Sequence, residues 1–373
     1  MRKGFFWLHL TAGTIGGLVI LVMSVTGVMM MYERQMLEWS DRDFRVTPSS
    51  RRLPVTAILE KARDQKRALP SAITLRSDPD APATLTFGRD GNAYVNPYNG
   101  EMLGAPSTKT REFFRAVRDW HRWLGQTGES RATARAISGA CNLAFLFLVG
   151  SGLYLWWPRT WAWQYIRPVL MFRGGLSGKA RDFNWHNVIG FWSCVPLFFV
   201  VLTATLISYP WASNLLYTVT RSEPPAPVQS PGRVPGNLNL SGITELWTRA
   251  EQQVPGWRSI SLRLPNSDQS PLSFTIDAGD GGQPQKRSQL TLSRSGELVR
   301  WENFESNNLG RRLRLWGRFV HTGEAFGLPG QTIAGIASGG GVFLVWTGLA
   351  LALRRFRAWR ARKIVPEAVL ARR

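Results

Sequence analysis

Two cysteines, four histidines and 25 acidic residues against 46 basic ones are what this chain of 373 residues has little of. Two thiols cannot build a disulfide framework or a thiolate metal cluster. No C-x-x-C-H segment occurs, so any haem would be held without covalent attachment. No Gly-rich dinucleotide fingerprint and no Walker loop is present, which leaves resident nicotinamide chemistry and phosphoryl transfer without their machinery. No carboxylate pair or Ser/His/Asp set argues for hydrolysis. The shortage of acids gives a formal net charge of +21, which as a bare total reads as a nucleic-acid footprint. Disorder is excluded by the apolar content and by 17 Trp and 19 Phe.

The most telling absence is local. No charged residue interrupts 5–32, 137–158, 187–210 or 328–353. About 20 helical residues cross the hydrocarbon of a bilayer, and each stretch is that long. The chain is therefore expected to be an α-helical integral membrane protein with four transmembrane helices. The first stretch follows Arg2 and Lys3 as a signal peptide would. Its apolar region is too long for one, and Met29 to Tyr32 offers no small-residue cleavage site, so it is read as an anchor.

Basic residues near the spans set orientation. Segments 1–9, 158–186 and 354–373 hold 15 basic residues and two acids. Four crossings put all three on one side, which the rule makes the cytoplasm, with both termini there. The charge is then a positive-inside signature suited to anionic lipid, and no nucleic acid is expected as a partner. Trp156, Trp157, Trp161 and Trp163 fall where an interfacial belt belongs.

The two long segments, 33–136 and 211–327, face outward on this reading, each as a small α+β module. In the first, Val55, Ile58, Leu59 and Ala62 give 54–67 a helical period, and strand-like runs follow at 72–75, 83–87 and 93–96 with a hairpin signal at Asp90-Gly91. In the second, a Pro-rich linker over 224–235 leads to a helix at 243–254 and strands at 259–264, 272–276 and 288–292. Ser295-Gly296 then turns into 297–299. The chain thus reads as two tandem repeats, with function expected at their interface. The predicted boundaries are 1–36 for the first span, 37–110 for the first module, and 111–158 for an outer helix and the second span. An inner loop at 159–185 and the third span at 186–210 follow. Linker and second module take 211–310, an outer helix and the fourth span 311–354, and a basic tail 355–373.

The four histidines are His9, His121, His186 and His321, each at or just before a span. His9 and His186 open spans one and three on the inner side, and His121 and His321 precede spans two and four on the outer side. Gly13, Gly125 and Gly190 each follow a histidine by four residues. On a helix that spacing shares a face, so these glycines are expected to clear room beside the imidazole for a flat macrocycle. An isolated interfacial histidine is often only a satisfied polar group, yet ionisable groups at membrane depth default to function. Two pairs at two depths fit bis-histidine haem, non-covalent and b-type. Zinc or copper is the competing reading, but zinc prefers three or four ligands at one point. Cys141 and Cys194 lie at different depths and read as small apolar residues. Trp120, Trp123 and Trp185 could pack on porphyrins, and Arg122, Arg181 and Arg318 could meet propionates, or be ordinary interface residues. The Gly339 to Gly341 run permits close approach to a helix or to a ring.

Leu8-His9-Leu10 through Thr26-Gly27, Gly152-Leu-Tyr-Leu-Trp-Trp-Pro158, His186-Asn-Val-Ile-Gly190 and His321-Thr-Gly-Glu-Ala-Phe-Gly-Leu-Pro-Gly330 together resemble the PepSY-associated transmembrane family nearly end to end. The resemblance implies that the outward modules are PepSY-like periplasmic domains and that the chain is a multi-pass protein of the bacterial inner membrane. It implies an oxidoreductase of the dihaem ferric-siderophore reductase type, with His9 and His186 on the inner haem b and His121 and His321 on the outer. The acceptor would be a ferric siderophore or another periplasmic electron acceptor, and the donor a cytosolic flavoprotein or membrane quinol. No catalytic residue beyond the ligands is indicated. An electron-transfer subunit serving a periplasmic partner protein and a non-catalytic binding module with structural histidines remain as alternatives.

Overall fold

The computed structural model describes residues 1–66, 68–88, 91–225 and 234–364. In chain order they form α1 (Arg2–Met30), α2 (Glu33–Ser40), α3 (Val55–Lys66), β1 (Ala72–Arg76), β2 (Ala83–Thr86), β3 (Asn92–Val95), β4 (Met102–Gly104), α4 (Thr108–Trp123), α5 (Ser130–Trp156) and α6 (Trp163–Leu170). There follow α7 (Gly178–Ser208), α8 (Pro210–Val219), α9 (Ile243–Gln253), β5 (Ser259–Arg263), β6 (Leu272–Asp277), β7 (Arg287–Leu292), β8 (Leu298–Glu302), α10 (Leu309–His321) and α11 (Gly327–Ile364). Asp90 of the expected hairpin, most of the Pro-rich linker and the end of the basic tail lie outside the described residues.

The chain divides into two compact units. The first takes 1–32, 114–213 and 320 onward. It contains four helices long and apolar enough to cross a membrane, Arg2–Met30, Ser130–Trp156, Gly178–Ser208 and Glu324–Arg362. They pack as a ring in which α1 and α7 each touch both α5 and α11. Small residues set the approach: a Cβ on Gly341 would stand 2.9 Å from Ser24 Oγ of α1, and one on Gly340 would stand 3.0 Å from Ser193 Oγ of α7. The glycine run therefore serves helix packing. The helices outrun their uncharged centres. α7 starts at Gly178, eight residues before the expected third span, because backbone hydrogen bonding continues where side chains become polar. Asp182, in that extra turn, is buried and takes hydrogen bonds from Arg181 and, at 2.5 Å, from Arg354 of α11.

The second unit takes 33–113 and 214–319. Here the strands of the two expected α+β modules join. One eight-stranded antiparallel sheet runs β4-β3-β2-β1-β5-β6-β7-β8. Its seam is β1 against β5, where Thr74 opposes Ser261 and donates to it at 2.9 Å. Alone, each half would leave β1 or β5 as an unpaired edge, and pairing removes both edges at once. Alternation puts Ile73, Leu75, Leu85, Ile260, Leu262, Phe274 and Ile276 on one face beneath α3 and α9, in a single core with Val55, Ile58, Leu246 and Trp247. The short β4 was not foreseen.

Candidate functional site

Within the first unit the histidines meet in two pairs. The ring centres of His9 and His186 are 6.5 Å apart, and those of His121 and His321 are 6.3 Å apart. His9 and His186 lie inside α1 and α7, whereas His121 lies in the last turn of α4 and His321 is the last residue of α10. The pairs are at two levels. Thr26 binds His121 from the helix that carries His9, and 17 residues of helix rise about 25 Å.

All four Nδ1 atoms are engaged at 2.9 Å: His9 with Ser151 Oγ, His121 with Thr26 Oγ1, His186 with Thr347 Oγ1 and His321 with the Val200 carbonyl. A carbonyl can only accept, so His321 carries its proton on Nδ1. Two of the hydroxyls lead to the same tautomer. Thr26 gives its one proton to Val22 O at 2.6 Å and Thr347 to Phe343 O at 2.7 Å, which leaves each to accept from imidazole Nδ1–H. Nε2, with a lone pair, is the nitrogen left for a metal at His121, His186 and His321. Ser151 reaches Leu148 O only at 3.4 Å and is nearer to His9, so it orients that ring without fixing which of the two donates. Outside the spans, burial helped by His321 and Arg122 pushes His121 down to about 4, and burial also lowers His321. Both are neutral near pH 7, as ligation requires.

The spacing is suited to a shared metal. An imidazole nitrogen binds a metal at about 2 Å, so a metal between two opposed rings sets their centres roughly 6 Å apart. Among the described residues no three His, Cys, Asp or Glu side chains gather to hold a metal ion. Each level holds one pair of imidazoles. Cys141 and Cys194 are free thiols, each half-buried.

The glycines differ from expectation. Gly125 is off the helix, at φ +73° in the turn that ends α4, with its N–H on Asp119 O. A Cβ on Gly13 would meet Leu148, and one on Gly190 would meet Leu344. The glycines that abut imidazoles are others: a Cβ on Gly152 would lie 3.4 Å from His9 Cε1, on Gly348 3.4 Å from His186 Cε1, and on Gly27 3.8 Å from His121 Cε1. Each directly follows a hydroxyl that binds the same ring. This Ser/Thr-Gly couplet, present in three spans, is the signal that spacing from the histidines alone misses. The aromatic and basic neighbours are partly committed elsewhere. Trp120 packs on Gly125, the Arg122 guanidinium lies 4.7 Å from the Trp123 ring, Arg181 binds Asp182, and Arg318 lies 5.6 Å from the Phe319 ring.

A family profile described as the PepSY-associated TM region matches residues 6–355. A search of curated proteins finds no match to the chain.

Proposed function

The chain belongs to the PepSY-associated TM family, and from that premise we propose that it is an electron-transfer protein of the bacterial inner membrane which holds two b-type haems and reduces ferric iron in a siderophore. His9 with His186 would hold one haem, and His121 with His321 the other. The observation that carries the reading is that all four imidazoles are paired and all four are anchored through Nδ1, which fixes orientation and ligand basicity in metal sites. Haem contributes reversible one-electron reduction when bound.

The protein's own part is placement and insulation. Two ligand levels about 25 Å apart along α1 divide a hydrocarbon layer of about 30 Å. Apolar packing between the levels, where Ile20 and Leu197 are buried, keeps water from the crossing. Basic residues concentrated at 1–9, 158–186 and 354–373 support cytoplasmic termini and a periplasmic second unit. The two halves of that unit, with α3 beside β1 to β4 and α9 beside β5 to β8, support tandem PepSY-like repeats. The acceptor class rests on the family resemblance: ferric iron takes one electron, and the ferrous ion leaves hard oxygen donors more readily. The donor is a flavoprotein or a quinol.

The test is spectroscopic. Full-length protein purified in detergent after expression with ample haem should show a Soret band that shifts on dithionite and two haems per chain by pyridine haemochrome. Stopped-flow re-oxidation of the reduced protein by ferric hydroxamate or catecholate chelates then tests the acceptor. A folded, colourless protein overturns the proposal.

A further inference from the structure

We propose that the couplets Thr26-Gly27, Ser151-Gly152 and Thr347-Gly348 are positioning elements that fix the tilt of His121, His9 and His186, and the tautomer of the first and last, and that His321 is set differently, by a backbone carbonyl. This rests on the haem reading above and assigns roles to residues that do not touch the metal.

The couplet works in two parts. Its hydroxyl spends its only proton on a carbonyl of its own helix, Val22 for Thr26 and Phe343 for Thr347, and so presents only lone pairs to the ring; Ser151, whose Leu148 carbonyl stands 3.4 Å away, holds the His9 ring through its 2.9 Å contact. At His121 and His186 Nδ1–H is thus held, and Nε2 becomes the more basic nitrogen. Its glycine leaves room beside Cε1, the carbon between the two ring nitrogens: a Cβ would reach it at 3.4 Å from Gly152 and Gly348 and at 3.8 Å from Gly27, in ordinary contact. Side chains that extend beyond Cβ would crowd the ring that the hydroxyl orients.

The fourth place departs from this pattern. Thr26 stands 17 residues after His9, and 17 residues after His186 stands Thr203, followed by Ala204 instead of glycine. Thr203 donates to Phe199 O at 2.6 Å and to Val200 O at 3.0 Å, as Thr26 does to Val22 O and Met23 O. The His321 Nδ1–H goes to Val200 O at 2.9 Å instead of to the hydroxyl. The pair His9/His186 is thus anchored by two hydroxyls, and the pair His121/His321 by one hydroxyl and one carbonyl. Groups that accept from a ligand's far nitrogen tune redox centres, so the two pairs differ in a lever that substitution can reach at three positions and not at the fourth.

The experiment compares haem content, ferric low-spin EPR and potentiometric midpoints for the full-length protein and its variants. Ser151→Ala and Thr347→Val should alter the signal and midpoint of one haem and weaken its retention about 10–100-fold, leaving the other unchanged. Thr26→Val should do the same to the other haem alone. Thr347→Ser should restore the wild-type signal, and Thr203→Val should change the second haem less than Thr26→Val does. Unchanged spectra and midpoints in the three hydroxyl variants would overturn the inference. So would equal disturbance of both haems, which would mean general loosening of the bundle. A wild-type protein that takes up no haem sinks the function reading first. Wild type with two haems and His9→Ala with one secures that reading, after which silent hydroxyl variants count against the couplets alone.

Discussion

His9 and His186 stand 177 positions apart in the chain, yet their ring centres are 6.5 Å apart. A two-ligand site depends on both partners, so losses within a pair should not add, whereas losses across pairs should. His9→Ala and the double variant His9→Ala/His186→Ala are each expected to retain one haem per chain. His9→Ala/His121→Ala is expected to retain none. Pyridine haemochrome on folded, monodisperse protein reads the difference. Additive loss within the His9/His186 pair would refute the assignment of ligands.

Asp182 carries another long-range link in the first unit. Its buried carboxylate is bound by Arg181 within α7 and by Arg354 from α11. Hydrogen bonds to a charged group contribute about 1.5–3 kcal/mol. Asp182→Ala, which removes both arginine contacts, should therefore lower the thermal midpoint in detergent by a few degrees. Replacing Arg181 or Arg354, whose side chains are both more than one-third exposed, should cost less, since each leaves the other on the carboxylate. Equal midpoints for wild type and Asp182→Ala would show the cluster to be idle.

In the second unit Asp41 accepts both Arg111 guanidinium nitrogens, at 3.0 and 2.6 Å, together with Tyr94 Oη and the Ser107 N–H. Burial pushes this carboxyl up, but the bonds from Arg111, Ser107 and Tyr94 outweigh it and hold it below the usual carboxylate range. A depressed carboxyl stabilises the fold above its unfolded-state value, and that contribution disappears as pH falls through the folded value. Stability should be flat from neutral pH to about 5 and then drop below about 4. Asp41→Asn should unfold at lower temperature at neutral pH by about 1–3 kcal/mol, with a shallower acid limb. Scanning fluorimetry across that range decides it, and parallel acid limbs for the two proteins would rule Asp41 out.

The spans were legible because the bilayer imposes a length and forbids charge, and both constraints are written locally in 5–32 or 187–210. The histidine pairing was legible for a related reason: depth within a span is a one-dimensional quantity. What sequence could not show is which edges meet. Residues 72–76 and 259–263 both alternate properly for a half-buried strand, and nothing in either names the other as neighbour, so one sheet was read as two. The anchoring of the imidazoles was hidden differently. Thr26, Ser151 and Thr347 are ordinary small polar residues of membrane helices, and only the crossing of helices shows each 2.9 Å from an Nδ1. The i+4 glycine rule misled at Gly125 because α4 had already ended at Trp123.

Gly323 offers a test of how the chain sets His321. It follows the end of α10 by two residues, at φ +74°, and a Cβ there would press on Gln331 Cα and N at 2.7 Å and on the Gly330 carbonyl. These are backbone atoms, so the clash cannot be relieved by turning a side chain. Alanine at positive φ also adds strain of about 1–3 kcal/mol. The relief must come from moving the segment between α10 and α11, which displaces His321 from Val200. His9 and His186 belong to other helices and keep their partners Ser151 and Thr347. Gly323→Ala should therefore lose or broaden the haem signal of the His121/His321 pair and spare that of the His9/His186 pair. Gly88→Ala supplies the control for positive φ alone, since its backbone is also left-handed and a Cβ there meets nothing within 4 Å. If Gly323→Ala disturbs both signals equally, or neither, the turn is not what holds His321 in place.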